Sequence, residues 1–164
     1  MGDIFYIDGT KVGRGLFAAR EIKKGERILQ FIGPLVTGSQ EKELDMDKYG
    51  KLLGNALQIG KDKYIYLEDP GRIVNHSCNP NAGIKNDVEL IAIKAIKKGE
   101  EIRYDYSCTM DEDSWTMKCS CTGKNCRKTI KDFKYLPEET KIKYLMLGIV
   151  QTFIAKQYEK QRFE

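Results

Sequence analysis

The chain has 164 residues, enough for one domain with its own hydrophobic core but not for several. Charged residues make up 32% and the hydrophobic set 41%, a balance typical of a folded protein and not of a disordered one. No apolar run approaches the roughly 20 residues that a membrane-spanning helix needs, and residues 1–20 contain no secretion signal. We therefore expect a chain without membrane contact or secretion, and its net charge of +4 does not by itself demand a nucleic-acid partner.

Short strands separated by glycine turns are predicted for most of the chain. Residues 3–7 favour a first strand, residues 8–9 a turn, and residues 12–18 a glycine-containing loop that runs into a second strand. Further strand candidates are residues 56–59, 64–67, 89–96 and 101–104. This pattern predicts a mostly β body.

One motif occurs twice in this body. Ile-Lys-Lys-Gly-Glu, followed by a charged residue and isoleucine, spans residues 22–28 and again residues 96–102. Because glycine readily adopts a positive φ, we interpret both copies as similar tight turns that lead into strands. A true internal repeat is the alternative.

Residues 137–164 have a helical pattern. Pro137 suits a first helical position, and Gly148 is expected to divide the segment into two helices. The apolar residues at helical spacing are Ile142, Leu145, Met146, Ile149, Val150, Phe153 and Ile154. We expect these helices to pack on the β body of a monomer, with a dimer contact as the alternative. Residues 40–53 are predicted to form a surface helix or a loop insert.

Five cysteines and a single histidine restrict the metal chemistry of the chain. Sites with three histidines are excluded. Cys119, Cys121 and Cys126 lie within eight residues and supply three of the four ligands of a tetrahedral zinc ion. The candidates for the fourth ligand are Cys78, Cys108 and His76. Metal-free thiols are the alternative.

The most informative string is Asn75-His76-Ser77-Cys78-Asn79-Pro80-Asn81, whose side chains could simply hydrogen-bond their own loop. A Gly-x-Gly loop precedes it, Tyr104-Asp105-Tyr106 follows a later strand, and a Cys-x-Cys-x4-Cys block comes last. In this order the four features resemble the SET-domain protein-lysine methyltransferases, in the branch that carries a post-SET zinc segment. The resemblance covers roughly residues 3–128.

This resemblance implies a fold that is mostly β with minor α structure. We expect a SET-type β fold of small sheets with a pseudoknot-like active-site segment, a zinc-bound post-SET segment and C-terminal helices. The corresponding boundaries are residues 1–107 for the SET domain, residues 108–136 for the post-SET zinc segment and residues 137–164 for the C-terminal helical extension.

The same resemblance implies two bound groups. The first is one structural zinc ion, with Cys78 as the ligand that joins the three clustered cysteines, so Cys108 is expected to be a partly buried bystander. The second is S-adenosylmethionine as methyl donor. Positions that contact this cofactor in the family match Gly13, Arg14, Gly15, Leu16, Arg72, Asn75, His76 and Trp115. Arg72 could instead be a surface charge, His76 a core histidine and Trp115 a packing residue.

The active-site tyrosine implied by the resemblance is Tyr106, with Tyr104 beside it and Phe31 in the substrate channel. The nucleophile is a lysine amine, whose pKa of about 10.4 must fall so that it is neutral. A dry channel and an adjacent positive sulfur lower that pKa, so alignment rather than a general base supplies most of the acceleration. In the family a tyrosine at the place of Tyr104 restricts the room for methyl groups, which predicts mono- or dimethylation.

Two places depart from the family pattern. Phe31 stands where the family usually has tyrosine, and residues 56–58 are Ala-Leu-Gln where a Tyr-Leu-Phe run is usual. Two expected hydroxyl groups are therefore missing, and Tyr49, Tyr64 or Tyr66 could rebuild the aromatic wall. A catalytically weak SET-like binding module is for this reason the first alternative function.

A zinc-stabilised nucleic-acid binder is the second alternative. It rests on six basic residues: Lys118, Lys124, Arg127, Lys128, Lys131 and Lys134. Because lysine runs usually mark a solvated face, direct nucleic-acid binding is not expected to be the main function. The predicted partner is a protein with a target lysine, such as a histone or another chromatin protein, in the cytoplasm, nucleus or nucleoid.

Overall fold

The computed structural model describes residues 2–37 and 56–161, which contain twelve short strands and two α-helices. The strands are β1 (Phe5–Thr10), β2 (Gly13–Ala18), β3 (Arg27–Gln30), β4 (Leu35–Thr37), β5 (Ala56–Gly60), β6 (Lys63–Tyr66), β7 (Asn75–His76), β8 (Ala82–Lys85), β9 (Glu89–Ala92), β10 (Glu101–Tyr104), β11 (Met117–Lys118) and β12 (Thr129–Ile130). The helices are α1 (Glu138–Leu147) and α2 (Thr152–Gln161). The insert predicted over residues 40–53, with Tyr49, lies outside the described residues.

Four small sheets build the body, which confirms the mostly β fold class. Their strand orders are β1-β2-β10-β7, β3-β9-β8, β4-β6-β5 and β11-β12. One apolar core joins the first three sheets, and its fully buried side chains include Leu16, Ile22, Leu57, Ile84, Leu90, Ile96 and Ile102. The pairing of β7 with β10 is parallel and brings Asn75 and His76 beside the end of β10.

The first hairpin turns later than the sequence pattern indicated. Residues 8–9 belong to β1, where they pair with Arg14 and Gly15 of β2, and the turn lies at residues 11–12. The turn predicted at residues 8–9 is therefore wrong, and the predicted glycine loop is part of a strand. The physical reason is that Gly13 has the positive φ (+122°) with which the chain leaves the turn.

The repeated motif forms two equivalent turns, as the sequence indicated. Gly25 and Gly99 have φ values of +85° and +83°. In each turn the glutamate after the glycine accepts a hydrogen bond from the backbone N–H of the first lysine, at 3.0 Å for Glu26 and 2.7 Å for Glu100. An antiparallel bridge between Ile22 and Ile96 places the two copies side by side.

The C-terminal helices pack on the β body, as expected. Gly148 has the left-handed conformation (φ +65°) that ends α1 and separates it from α2. Ile149 packs against Gly83 of β8, and the Gln151 side chain donates to the carbonyl of Gln58 at 2.8 Å. The second apolar core that results contains Cys108, Phe133, Leu136, Tyr144, Ile149, Val150 and Ile154.

The length and hydropathy of the helices bear on membrane contact. Among the described residues, we find no helix with the length and apolar character that crossing a bilayer requires.

Replacing Gly83 by alanine tests the packing of the helices on the body. A Cβ at Gly83 would lie 2.6 Å from Cγ2 and 2.8 Å from Cβ of Ile149, so the Gly83→Ala variant must displace the connection between the helices. We expect its free energy of unfolding in urea to fall by about 1–3 kcal/mol. Gly9→Ala is the matched control, because its Cβ would meet no atom within 4 Å. Equal losses in both variants would contradict the described packing.

Candidate active site and cysteine cluster

Two clefts meet at Tyr106. The larger has a volume of about 470 Å³ and is lined by residues 10–12, Asn75, His76, Tyr106 and residues 117–122 among others. The smaller has a volume of about 40 Å³, and its lining includes Ala56, Arg72, Val74, Tyr104, Tyr106 and Trp115. Among the described residues, Tyr106 is the only one that lines both. It therefore lies between a space for a sizeable ligand and a narrow space for a side chain.

The string at residues 75–81 reaches this site by running beside β10. Beyond the short strand β7, the side chain of Asn81 continues the contact: its nitrogen donates to the Glu101 carbonyl at 2.8 Å, and its oxygen accepts from the Arg103 N–H at 2.9 Å. An amide side chain can imitate a backbone peptide in this way. The polar string thus fastens its own chain to the strand that leads into Tyr104-Asp105-Tyr106.

Tyr106 is held from two sides. Its hydroxyl donates to the Val74 carbonyl at 2.7 Å, and its backbone N–H donates to Nδ1 of His76 at 3.1 Å. Burial, together with the charge of Glu101, raises the pKa of Tyr106. The phenol therefore stays protonated near pH 7, so it can orient a neighbouring group but cannot act as a phenolate base.

Aromatic rings form one wall of the smaller cleft. The ring centroids of Tyr104 and Tyr106 are 4.9 Å apart, and Trp115 lies 6.5 Å from Tyr106. Tyr104 is buried, which raises its pKa and keeps its hydroxyl protonated. The three rings enclose a space that suits an extended alkyl chain.

Other aromatic residues named from the sequence lie outside the two clefts. Phe31 is fully buried behind Tyr104, with ring centroids 5.7 Å apart, and lines neither cleft. Tyr64 and Tyr66 pack with Val36 in a separate small cluster. Neither Tyr64 nor Tyr66 therefore replaces the aromatic residues that the sequence lacks in comparison with the family pattern. Trp115 completes the aromatic wall of the smaller cleft instead.

The larger cleft lies between the first hairpin, β1 and β2, and the segment that contains Cys119 and Cys121. A Cβ at Gly15 would lie 2.7 Å from a Glu101 carboxylate oxygen and 3.1 Å from Nδ2 of Asn75, so glycine is needed there. Nδ2 of Asn75 donates to the Arg14 carbonyl at 2.9 Å and to Glu101 at 2.8 Å. Both hydrogens of the Asn75 side-chain amide are used in these bonds, so its side-chain oxygen remains to accept a hydrogen bond from a ligand. Residues 13–16, predicted to contact the cofactor, do not line the larger cleft: Gly15 and Leu16 are buried between neighbouring strands, and residues 10–12 with Phe17 form the lining on this side.

Two arginines share one carboxylate at the edge of the site. Arg14 Nη2 lies 3.6 Å from an oxygen of Asp69, and Arg72 Nε bonds the other oxygen. The hydrogen bond from Arg72 lowers the pKa of Asp69, so the carboxylate stays charged. Arg72 is therefore a paired charge. With Trp115 it lines the smaller cleft, and neither residue lines the larger one.

Four cysteine thiols lie together beside the larger cleft. They belong to Cys78, Cys119, Cys121 and Cys126, and their sulfur atoms all lie within 4.8 Å of one another. Sγ of Cys78 is 3.7 Å from Sγ of Cys119. A tetrahedral zinc ion with Zn–S bonds of about 2.3 Å separates its sulfurs by about 3.8 Å, so this donor set fits one zinc ion. Cys108 lies in the second apolar core at 3% exposure, deeper than the partly buried bystander expected.

His76 contacts the cysteine cluster without belonging to it. Its Nε2 lies 3.3 Å from Sγ of Cys78, while Nδ1 accepts the Tyr106 N–H. These partners assign the hydrogen to Nε2. Burial lowers the pKa of His76 to about 4, so the ring is neutral near pH 7. The imidazole therefore links the backbone of Tyr106 to a cysteine sulfur.

Sequence reasoning missed a buried ion pair next to Tyr106. The Asp105 carboxylate is fully buried and accepts hydrogen bonds from both terminal nitrogens of Arg127, at 2.7 and 2.8 Å. It also accepts from the Tyr144 hydroxyl at 3.1 Å. The signal in the sequence was an acidic residue between two aromatic ones, because a carboxylate buried among rings needs a cationic partner.

The chain is similar to several known proteins. The family model described as the SET domain matches residues 13–107. Histone-lysine N-methyltransferase trr of Drosophila melanogaster is 33% identical over 138 residues, which make up 75% of this chain and 6% of that protein. Histone-lysine N-methyltransferase 2B of Homo sapiens is 32% identical over 133 residues, or 71% of this chain and 5% of that protein. The chain thus spans a small part of these relatives.

A solved structure shares the fold. The crystal structure of KRYPTONITE in complex with mCHG DNA and SAH matches with a TM-score of 0.58 at 21% identity, over 77% of this chain and 29% of that one. At this identity the likeness concerns the fold alone.

Zinc content tests the cysteine cluster. We expect the purified protein to hold one zinc ion per chain, and Cys126→Ser to retain little zinc after dialysis because a structural site needs all four ligands. Cys108→Ala is the control and should keep its zinc, since Cys108 lies in the second core. Elemental analysis measures both variants. Full zinc in Cys126→Ser, or its loss in Cys108→Ala, would contradict the assignment.

Proposed function

This chain belongs to the SET-domain family, and on that basis we propose that it transfers a methyl group from S-adenosylmethionine to a lysine amine on a protein. The observation that carries the proposal is the meeting of a large and a narrow cleft at Tyr106. The cofactor occupies the larger cleft, and the lysine enters the smaller one. Relatives named histone-lysine N-methyltransferases support the proposal, as does the SAH in the KRYPTONITE complex.

The larger cleft is lined by charges of both signs, Lys11, Arg103 and Lys118 with Glu101, which suits a cofactor that carries a carboxylate as well as positive groups. We assign its contacts to the residues of the first hairpin that line the cleft, 10–12 and Phe17, to the oxygen of Asn75 and to the backbone of His76. Glu101 lines the same cleft beside Asn75 and Arg103, and we assign it to face a positive group of the cofactor. When bound, S-adenosylmethionine supplies a methyl group made electrophilic by its positive sulfur. Because Arg72 and Trp115 line the smaller cleft, we assign both to the lysine side of the site instead.

The smaller cleft can keep a lysine amine neutral and aligned. Among the described residues, no histidine or carboxylate lines it, and Tyr106 stays protonated. Loss of hydration in so narrow a space lowers the amine pKa from about 10.4, and the proton leaves to solvent before the amine is enclosed. The chain then contributes orientation: Tyr106 and Tyr104 fix the alkyl chain and exclude water.

We propose a histone or similar lysine-rich chromatin protein as substrate and chromatin as location, because the similar relatives carry histone-lysine names. Nucleic acid is a weaker candidate. Of the six cations considered from the sequence, Arg127 is engaged by Asp105, and Lys134 lies 2.5 Å from Asp113. The basic segment therefore offers less free charge than its composition indicates.

Removing the Tyr106 hydroxyl tests the proposed reaction. We expect Tyr106→Phe to lower kcat by about a hundredfold, because the ring loses the hydrogen bond to Val74 that fixes it between the clefts. Cofactor affinity, measured by calorimetry, should change little. Tyr135→Phe is the matched control, since Tyr135 is exposed and lines neither cleft. An unchanged kcat in Tyr106→Phe would refute the assigned role, and binding without turnover in the wild type would favour the binding-module alternative.

The degree of methylation depends, in this proposal, on Tyr104. Its hydroxyl takes up room beside Tyr106 that a methylated amine needs, so the wild type should produce mono- and dimethyl-lysine. Tyr104→Phe should shift the products toward trimethyl-lysine, as measured by mass spectrometry of a methylated substrate. Mainly trimethyl-lysine from the wild type would contradict this assignment.

A further inference from the structure

A buried carboxylate joins three parts of the chain next to Tyr106. We propose that Arg127 and Tyr144 are positioning residues that act through Asp105 to hold Tyr106 between the two clefts, an inference that rests on the proposed function. Neither residue lies within the region that the SET-domain family model matches, residues 13–107. The post-SET segment and the C-terminal helices would then belong to the catalytic machinery of this chain.

Asp105 caps the turn that contains Tyr106. Residues 106–109 form a single short 3₁₀ turn, and Asp105 is its N-cap. The carboxylate of Asp105 accepts the Ser107 N–H at 3.1 Å, and its carbonyl accepts the Cys108 N–H at 3.1 Å. The orientation of Asp105 therefore sets the direction in which Tyr106 leaves β10.

Arg127 binds both oxygens of the Asp105 carboxylate. Its guanidinium makes two parallel hydrogen bonds to Asp105, at 2.7 and 2.8 Å, and Nη2 also donates to Oγ of Ser107 at 3.1 Å. Its backbone N–H donates to Sγ of Cys78 at 3.4 Å. One residue thus contacts both the cysteine cluster and the turn of Tyr106. The planar fork of arginine fixes the carboxylate in rotation, which the point charge of a lysine cannot do.

Tyr144 of α1 contacts the same carboxylate. Its side chain is 2% exposed, and its hydroxyl donates to Oδ2 of Asp105 at 3.1 Å. Burial raises the pKa of Tyr144, so the phenol remains a hydrogen-bond donor at any working pH. Because α1 is fixed to the body by the second apolar core, Tyr144 adds a fixed donor to the oxygen that also accepts from Nη1 of Arg127.

The hydrogen bonds to the Asp105 carboxylate hold it in one orientation. Its side chain is 0% exposed, and its oxygens receive hydrogen bonds from three different segments of the chain. Loss of Arg127 removes one hydrogen bond from each oxygen, and loss of Tyr144 removes one from Oδ2, in a place that water does not reach. Such a carboxylate reorients, and the turn that it caps moves with it.

Three conservative variants test the proposal: Arg127→Lys, Tyr144→Phe and, as matched control, Tyr158→Phe. Tyr158 belongs to α2 and packs on Phe133 of the same core. Each variant is assayed for kcat, the KM for S-adenosylmethionine, zinc content and the backbone amide signals of ¹⁵N-tyrosine-labelled protein. The chain has nine tyrosines, so the spectrum is simple, and Tyr106→Phe identifies the Tyr106 signal.

We expect Arg127→Lys to lower kcat by about tenfold to a hundredfold and Tyr144→Phe by about fivefold. The KM and the zinc content should stay unchanged, the Tyr106 amide signal should shift in both variants, and Tyr158→Phe should alter none of these. If Arg127→Lys loses zinc, Tyr144→Phe decides, because Tyr144 does not contact the cluster. An unmoved Tyr106 signal in Tyr144→Phe, or a moved signal with unchanged kcat, overturns the proposal. A wild type without turnover removes the proposed function, and the Tyr106 signal then decides the positioning alone.

Discussion

The buried carboxylate of Asp105 is the constraint on which the arrangement of this chain depends. It stands between Tyr104 and Tyr106 and receives hydrogen bonds from Arg127 and Tyr144, so the β body, the cysteine segment and the helices meet at one charge. Removing one partner of such a buried pair typically costs about 3–5 kcal/mol. The three parts must therefore fold together for Tyr106 to occupy its place between the clefts.

Residues 117–130, which contain three of the four clustered cysteines, depend on a bound metal to hold their place beside Tyr106. β11 and β12 contain two residues each, and none of the residues 117–130, all of which the structure describes, belongs to either apolar core, although Ile130 is itself buried. Zinc bound by the four thiolates would supply the folding free energy that such a segment lacks, and it would hold Cys78, to which the backbone of Arg127 donates, in place. A zinc ion bound there would act on the turn of Tyr106 through the contacts of Arg127 with Cys78 and Asp105.

The sequence predicted what depends on short-range pattern. The strand Glu101–Tyr104, the break at Gly148 and three of the clustered cysteines follow from local composition and spacing, whereas the fourth cysteine, Cys78, was implied only by the resemblance to the family. The position of the first hairpin turn did not follow from local pattern, because several glycines compete there and pairing across the hairpin decides among them. The contact of Asp105 with Arg127 joins residues 22 positions apart, and only packing reveals which charges are buried together.

The account of function can be tested most directly by identifying the labelled product. Zinc-loaded protein is incubated with S-adenosylmethionine labelled in the methyl group and with core histones bound to DNA, and the protein and nucleic acid are then separated and hydrolysed. Our account predicts label in methylated lysine of the histone fraction. Label in nucleic acid or in another amino acid, or no label from protein that binds the cofactor, would contradict it.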